Sequence, residues 1–183
     1  MDALHGERVV LRRWTPADLT SFAELNADAV VMEFFPRALT INESATFVDR
    51  VIEHFDRHGF GLWALEAEGR FAGFTGLNRT TFDTPMGPHV EVGWRLARWA
   101  WGQGYATEAA ALALDDGFAR IGLSEVYSFT TAANERSRAV MQRLGMQRRD
   151  DLDFDHPGTP GWSGQRHVVY WIDRQHWHPR HID

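Results

Sequence analysis

The stretch that decides the fold is Trp101-Gly102-Gln103-Gly104-Tyr105-Ala106-Thr107-Glu108, which runs directly into the Ala-rich sequence of residues 109–114. Glycine allows the backbone to approach a ligand closely, because it has no Cβ. The first amides of the following helix have no acceptor within the helix, and the helix dipole places partial positive charge there. The stretch is therefore a candidate phosphate-binding loop that needs no lysine. A tight turn that only caps the helix is the alternative interpretation.

Two common phosphate-binding motifs do not fit this loop. A P-loop requires a lysine, and none lies near the stretch. A dinucleotide-binding loop requires Gly or Ala three residues after the second glycine, where this chain has Thr107. The remaining pattern has Gly104 and Ala106 in its last two positions, and Trp101 where Gln or Arg is usual. It resembles the acyl-CoA pyrophosphate loop of the GNAT N-acetyltransferase superfamily, in the variant found in the subfamily of ribosomal-protein N-terminal acetyltransferases.

The composition fits a single domain that occupies residues 1–183. With 19 basic and 25 acidic side chains the net charge is −6, which argues against non-specific binding to nucleic acid. The absence of cysteine excludes a disulfide and a thiol nucleophile. No apolar run is long enough to span a membrane, and the first residues do not resemble a signal peptide. The sequence therefore predicts no nucleic-acid or membrane partner and a cytoplasmic location.

Periodicity and capping signals predict the order of the elements. One helix is expected to start at Thr15-Pro16, and a second follows the capping box formed by Thr40 and Glu43. The predicted strands cover residues 9–11, 60–65, 71–77, 90–96, 126–130 and 168–172, and two further helices cover residues 106–121 and 134–144. This order predicts a mixed α/β sheet with helices on both faces.

The element order is also that of the GNAT fold, so the resemblance extends over residues 8–171. It implies a single-domain fold with a twisted central sheet, in which a splayed strand pair holds acyl-CoA. It also implies that the pyrophosphate of acetyl-CoA binds to a loop made of Gly102, Gln103, Gly104, Tyr105, Ala106 and Thr107. Acetyl-CoA is thus the expected cosubstrate.

The strand of residues 90–96 is similar to the strand that precedes the cofactor loop in this family. By the resemblance, the backbone of Trp94, Arg95 and Leu96 binds pantetheine as an added strand would, and an amide polarises the thioester carbonyl. A bulge at Gly93 is expected to start the splay. The alternative is an ordinary half-buried strand, because its apolar residues alternate correctly for one.

A second segment, residues 134–146, resembles the family signature that begins Asn-x-x-Ser and ends Leu-Gly-Met. The resemblance places Asn134 and Ser137 beside the pantetheine and its sulfur, although Asn134 is also simply a good helix cap. Many members of the family have a tyrosine acid at the position of Met141, and a thioether cannot donate a proton. Ser137 or a water molecule is therefore the predicted proton donor to the thiolate.

Four charged residues lie near the predicted site. Three of them have both a functional and a non-functional interpretation, and the fourth is expected to be structural. Glu91 is the best candidate for the base, because the superfamily often has a glutamate on this strand; a surface carboxylate beside His89 is the alternative. Glu108, in the first turn of the helix, is expected to be structural, since it would repel pyrophosphate. Arg136 and Arg138 are candidates for binding the 3′-phosphate of the cofactor, or are only solvated.

The histidines do not form a convincing metal motif. His54 and His58 are one helical turn apart but lack the glutamate of a zinc-protease motif. His176, His178 and His181 are close together near the end of the chain, without cysteine or a carboxylate pattern. The sequence therefore predicts no metal.

These observations predict an acetyl-CoA-dependent N-acetyltransferase in which a neutral primary amine attacks the thioester within a ternary complex. The expected acceptor is a peptide or protein N-terminus or a small-molecule amine. A non-catalytic acyl-CoA-binding sensor on the same fold is the main alternative, and a protein that binds ATP at the glycine-rich loop is a third. The sequence does not determine the oligomeric state, so a homodimer is allowed.

Overall fold

A computed structural model describes residues 3–178 of the chain. The strands are β1 (Ala3–His5), β2 (Val9–Arg12), β3 (Leu62–Ala67), β4 (Arg70–Arg79), β5 (Val90–Leu96), β6 (Glu125–Thr131), β7 (Gln147–Arg148), β8 (Phe154–Asp155) and β9 (Arg166–Asp173). The α-helices are α1 (Asp18–Ala27), α2 (Ile41–His58), α3 (Tyr105–Asp116) and α4 (Glu135–Arg143). One turn of π-helix, Gly117–Ile121, extends α3. No helix in this part of the chain is both long and apolar enough to cross a membrane.

The strands form one sheet in the order β1-β2-β3-β4-β5-β6-β9-β7, and β8 also pairs with β9. Within the described residues the pairings are antiparallel except that of β5 with β6. These two parallel strands share one register pair, Glu91 with Tyr127, and then separate. β9 comes late in the chain but lies inside the sheet, between β6 and β7. The predicted mixed sheet with a splayed strand pair is confirmed.

Helices cover both faces of the sheet. Phe22 of α1 and Phe47 of α2 pack against Phe74 of β4, with ring centroids 6.0 and 5.3 Å apart. On the opposite face α3 packs against β4 and β5, and the helical turn after it brings Gly117 against Leu77. The predicted layering is therefore confirmed, and it leaves the α1–α2 face of β5 open to a cavity.

The start of α2 agrees with the expectation from the sequence, whereas the start of α1 does not. The capping box before α2 is present, since Glu43 N donates to Thr40 Oγ1 at 3.2 Å and Thr40 N donates to the Glu43 carboxylate at 2.8 Å. The expected start of α1 at Thr15 is wrong, because the helix begins at Asp18. The buried Asp18 carboxylate accepts a hydrogen bond from Thr15 N and forms an ion pair with Arg12 of β2. This tertiary ion pair holds the preceding residues in a turn and delays the helix.

Candidate active site

One large cavity, of about 1130 Å³, opens where β5 and β6 diverge. Its walls come from these strands, the loop before α3, the start of α4, the connection between α1 and α2, and part of the segment of residues 156–167. All the residues that the sequence placed at the site line it: Glu91, Trp94, Arg95, Leu96, Gly102, Gln103, Gly104, Tyr105, Ala106, Thr107, Asn134 and Ser137. The structure thus brings both signature segments to one cavity.

The separation of β5 from β6 begins at a side-chain hydrogen bond. The hydroxyl of the buried Ser128 in β6 donates to the carbonyl oxygen of Val92 at 2.9 Å, one residue beyond the last register pair. The expected bulge at Gly93 is wrong, because β5 stays in regular register with β4 through Gly93 and up to Leu96. The splay therefore needs no bulge: β5 keeps its partner on one side, while Ser128 takes the place of a backbone donor on the other.

The register of β5 with β4 shows which backbone groups of β5 face the gap that opens between β5 and β6. Ala97 N donates to Ala72 O at 2.8 Å, and Thr80 N donates to His89 O at 3.1 Å. In an antiparallel pair, alternate residues direct both their N–H and C=O groups to the same neighbour. The backbone groups of the odd-numbered residues of β5 therefore point to β4, and those of the even-numbered residues point to β6.

This alternation separates the three residues predicted to hold pantetheine. The backbone groups of Trp94 and Leu96 face the gap, whereas those of Arg95 are turned to β4. One acceptor in the gap is already used, because Trp101 Nε1 donates to Leu96 O at 2.8 Å. The free backbone groups in the gap are consequently those of Trp94 and the amide of Leu96.

The loop before α3 presents a row of unpaired amides. In the described part of the chain, the backbone N–H groups from Gly102 to Ala106 make no hydrogen bond, whereas those of Thr107 and Glu108 donate to Gly104 O at 3.0 and 3.1 Å. Gly104 precedes the helix with a φ of 82°, a left-handed conformation that glycine adopts without strain. Five successive amides at a helix N-terminus form a site for an anion such as pyrophosphate.

An ion pair between Arg8, in the turn that joins β1 to β2, and Glu108 fixes this loop in place. Arg8 N and Nε donate to the Glu108 carboxylate at 2.7 and 2.9 Å, and Arg8 Nη1 donates to Gln103 O at 3.0 Å. Glu108 is buried, so the structural role expected for it is supported. Tyr105 lines the cavity, and its hydroxyl donates to the Glu68 carboxylate at 2.8 Å. Sequence reasoning missed Arg8, because nothing in the pattern links residues 100 positions apart.

Glu91 is a largely enclosed carboxyl that lines the cavity. Burial raises its pKa to about 7, an effect that the hydrogen bond from Asn78 Nδ2, at 3.2 Å, opposes. The alternative of a surface carboxylate is therefore excluded. His89, its neighbour in sequence, is buried between Thr80, Gly87 and the ring of Tyr127, and burial lowers its pKa. Glu91 can thus accept a proton at neutral pH, while His89 has a packing role.

The first turn of α4 carries the second signature. Asn134 is the helix cap, since its Oδ1 accepts from Ser137 N at 3.2 Å and its Nδ2 donates to Thr130 Oγ1 at 3.0 Å. The Ser137 hydroxyl makes no hydrogen bond within residues 3–178 and lines the cavity. Met141 lies in the hydrophobic core with 1% of its surface exposed. Ser137 is therefore the hydroxyl on this helix face that is available to a ligand.

The two candidate arginines for the 3′-phosphate have protein partners. Arg136 forms an ion pair with Glu33 at 2.7 Å, and its guanidinium lies 4.5 Å from the Trp101 ring centroid. Arg138 Nη1 donates to Ala132 O at 3.0 Å, and its Nε donates to the Tyr170 hydroxyl at 3.4 Å. Of the two, Arg136 lines the cavity. Its contact with Glu33 also joins α4 to the connection between α1 and α2.

Two of the histidines considered as metal ligands, His54 and His176, have other partners in the structure. Among residues 3–178 there is no group of three or more His, Cys, Asp or Glu side chains that could hold a metal ion. His54 accepts from Arg79 N at 3.1 Å through Nε2, and His176 contacts Asp173 at 2.6 Å. His181 lies outside the described residues.

Comparison with known proteins agrees with this geometry. A family model described as the acetyltransferase (GNAT) domain matches residues 8–147. The FsC-acetyl coenzyme A-N(2)-transacetylase of Aspergillus fumigatus is 34% identical over 126 residues, which cover 65% of this chain and 52% of that protein. The match thus spans about half the length of this relative.

Two solved structures share the fold. A GNAT-family acetyltransferase from Bacillus anthracis superposes with a TM-score of 0.78 at 21% identity, covering 94% of this chain and 99% of that chain. RimJ of Mycobacterium smegmatis, in complex with CoA-disulfide, superposes with a TM-score of 0.76 at 20% identity, covering 95% and 88%.

The fold and the site define an acyltransferase domain with a split strand pair and an amide-lined loop. The chain belongs to the GNAT acetyltransferase family, because the family match covers well over half of its residues and includes both features. The acyl donor of this class of enzyme is acetyl-CoA. The resemblance inferred from the sequence is therefore confirmed.

Proposed function

We propose that the protein transfers an acetyl group from acetyl-CoA to a weakly basic primary amine, such as the α-amino group of a peptide or small molecule. The observation that carries this proposal is the continuity of the cavity, which joins the free amides of residues 102–106 to the carboxyl of Glu91. The name of the Aspergillus fumigatus relative, an acetyl coenzyme A N(2)-transacetylase, supports the same chemistry.

The donor half of the site fits acetyl-CoA. The free amides of residues 102–106 would bind the pyrophosphate, and the free backbone groups of Trp94 and Leu96 would bind the amides of pantetheine as an added strand does. The Trp94 N–H is the first unpaired amide beyond the last register pair of β5 and β6. We assign to it the polarisation of the thioester carbonyl, since a fixed amide in a cavity stabilises developing negative charge.

Proton transfer is assigned to two side chains on opposite walls. The amine nitrogen forms a bond to the thioester carbon, the C–S bond breaks with its electron pair on sulfur, and the nitrogen gives one proton to Glu91. The thiolate then takes a proton from a water molecule, or from Ser137, whose hydroxyl regains a proton from solvent. An α-amino group, with a pKa of about 7.7–8.0, suits a carboxyl base better than a lysine side chain near 10.4 does, because about one in ten molecules is already neutral at pH 7.

Replacement of Ser137 by Ala is expected to lower turnover about 10- to 100-fold and to change acetyl-CoA affinity much less, because a general acid acts on the transition state. Steady-state CoA release and equilibrium titration with acetyl-CoA measure the two quantities. Ser137→Thr, which keeps a hydroxyl, is the matched control and should retain most activity. Equal turnover of parent and Ser137→Ala would assign the proton donor to water.

The acceptor class is tested with two matched peptides. One has a free N-terminus and no lysine, and the other has a blocked N-terminus and one lysine. We expect CoA release with the first peptide at neutral pH to exceed release with the second at least tenfold, since the lysine amine is neutral in a far smaller fraction. The chain itself contains no lysine, so lysine self-acetylation cannot contribute to the signal. Faster release with the lysine peptide would refute the acceptor assignment.

Two other functions would give different results in the same assays. A non-catalytic acyl-CoA sensor would bind acetyl-CoA but release no CoA with any amine. An ATP-binding protein would show competition between ATP and CoA at similar concentrations. The enclosed carboxyl of Glu91 beside the splay favours the enzyme, because a sensor has no use for a buried group that can take up a proton at pH 7.

A further inference from the structure

Arg95 is a cation enclosed in the cavity without a carboxylate partner. Its guanidinium lies between the rings of Phe35 and Phe74, 4.2 and 5.4 Å from their centroids. Its Nε is fully enclosed and makes no hydrogen bond, and no Asp or Glu within residues 3–178 forms an ion pair with it. Burial lowers its pKa to about 10, so it stays charged at neutral pH. A charge buried in this way calls for a partner.

The neighbours of Arg95 hold its guanidinium in one orientation. Nη1 donates to Asn26 Oδ1 at 2.5 Å. Asn26 is itself fixed, since its Nδ2 donates to Ser44 Oγ at 3.0 Å, and Ser44 Oγ donates to Thr40 O at 3.0 Å. One edge of the guanidinium is therefore used, and the other edge, formed by Nε and Nη2, has no partner among the described residues. Nε is enclosed by protein atoms, so Nη2 is the nitrogen of this edge that a carboxylate in the cavity can reach, and a hydrogen bond between these two charged groups is a strong one.

The position of Arg95 on β5 relates it to the base. Glu91 and Arg95 lie on the same face of the strand, four residues and roughly 13 Å apart between their Cα atoms. Gly93 lies between them, and a Cβ built there would meet no atom within 4 Å. The space between the carboxyl of Glu91 and the guanidinium of Arg95 is therefore open. The free backbone groups that fit pantetheine point in a different direction, along the sheet toward β6.

We propose that the amine acceptor carries a carboxylate, which binds Nη2 of Arg95 while the amine lies at Glu91. This inference rests on the proposed function and narrows the acceptor to amino acids and short peptides with a free C-terminus. Such a ligand supplies the missing charge partner and spans the open space at Gly93. Arg136 does not need such a ligand, because its charge is already paired with Glu33.

The test uses acceptors that differ only in charge at the C-terminus. Free amino acids and Ala-Xaa dipeptides are each compared with their C-terminal amides, at saturating acetyl-CoA and with rates corrected for the neutral fraction of each amine. The parent should prefer the acids at least tenfold in kcat/KM. Arg95→Gln should lose about 20-fold on the acids and less than threefold on the amides, as expected for loss of a hydrogen bond to a charged group.

Three controls separate the possible results. Arg98→Gln removes an exposed guanidinium outside the cavity lining and should behave like the parent. Arg95→Lys keeps the charge but not the planar guanidinium, and it should recover only part of the preference. Arg95→Gln should bind acetyl-CoA like the parent, and calorimetry on the CoA-saturated parent should show binding of N-acetyl-Ala-Ala but not of its amide.

Three results would each overturn the carboxylate proposal and leave the acetyltransferase assignment intact. The first is turnover of the amides as fast as that of the acids, and the second is an equal loss of rate on both with Arg95→Gln. The third is turnover confined to peptides without a free carboxylate. Failure to bind acetyl-CoA, or to release CoA with every amine, would instead refute the proposed function on which it rests.

Discussion

Replacement of Glu91 by Gln is expected to lower the rate of acetyl transfer about 100- to 1000-fold at pH 7, the lower part of the range for loss of a general base. The loss should be greatest at and above pH 7, where the carboxyl of the parent is ionised, and should shrink as the pH falls below 7, because the parent carboxyl is then protonated and cannot accept a proton. In the parent, kcat/KM should rise with pH through about 7, the pKa that burial gives this carboxyl. The pH–rate profiles of both proteins on a peptide with a free N-terminus measure this.

Thermal unfolding supplies a second, independent readout for Glu91. Its folded pKa, about 7, lies above the value near 4.3 of an unfolded chain, so the folded state favours the protonated carboxyl. The corresponding contribution to stability is complete below about pH 4 and is lost as the pH rises through 7. Glu91→Gln should therefore gain stability relative to the parent at pH 8.5 and little at pH 5.

Glu53→Gln is the matched control for both measurements, because Glu53 is an exposed residue of α2 outside the cavity. It should follow the parent in rate and in unfolding temperature. A Glu91→Gln profile that merely runs parallel to that of the parent would show that Glu91 is not the base.

Replacement of Ala106 by Glu is expected to weaken acetyl-CoA binding at least 100-fold. Ala106 lies in the first turn of α3 and lines the cavity beside the free amides. A carboxylate about 5 Å from a phosphate charge, at an effective dielectric constant near 20, costs about 3 kcal/mol. The same carboxylate favours the helix N-terminus, so the fold should be preserved. Equilibrium titration with CoA and circular dichroism measure the two effects.

Two variants separate charge from size at this position. Ala106→Gln inserts a side chain of the same length without charge, so its smaller loss measures steric obstruction alone. Ala119→Glu adds the same charge at an exposed position away from the cavity and should bind CoA like the parent. The difference between Ala106→Glu and Ala106→Gln should also decrease at high salt, because it is electrostatic. Parental affinity in Ala106→Glu would place the pyrophosphate elsewhere.

Elements whose signals are local could be predicted from the sequence. The capping box at Thr40 and Glu43 and the cap at Asn134 involve residues three positions apart, and both are present. β5 covers the predicted residues 90–96, since its apolar side chains alternate and glycine-rich sequence follows. The start of α1 was mispredicted because an ion pair to Arg12, in another element, overrides the local signal of Thr15 and Pro16.

The candidate site could be predicted only as far as its motifs extend. The loop before α3 and the segment around Ser137 have recognisable spacing, and both line the cavity. The contacts that tune the site join distant parts of the chain. Arg8 reaches Glu108 across 100 positions, and Arg95 reaches Asn26 across 69. The bulge at Gly93 was wrong because the splay depends on a hydroxyl of β6, which no pattern in β5 reveals.

The place of β9 in the sheet sets the order in which the site is completed during synthesis. β9 holds β6, β7 and β8 together, although all three precede it in the chain. The amide row of residues 102–106 and its brace, Arg8, are available once Glu108 has emerged. β6, on the other side of the gap, gains its partner β9 (Arg166–Asp173) only some 60 residues later. At about 5–20 residues per second, this delay is roughly 3–12 s. A nascent chain therefore has the parts of its pyrophosphate loop before those of the cavity wall formed by β6 and β9.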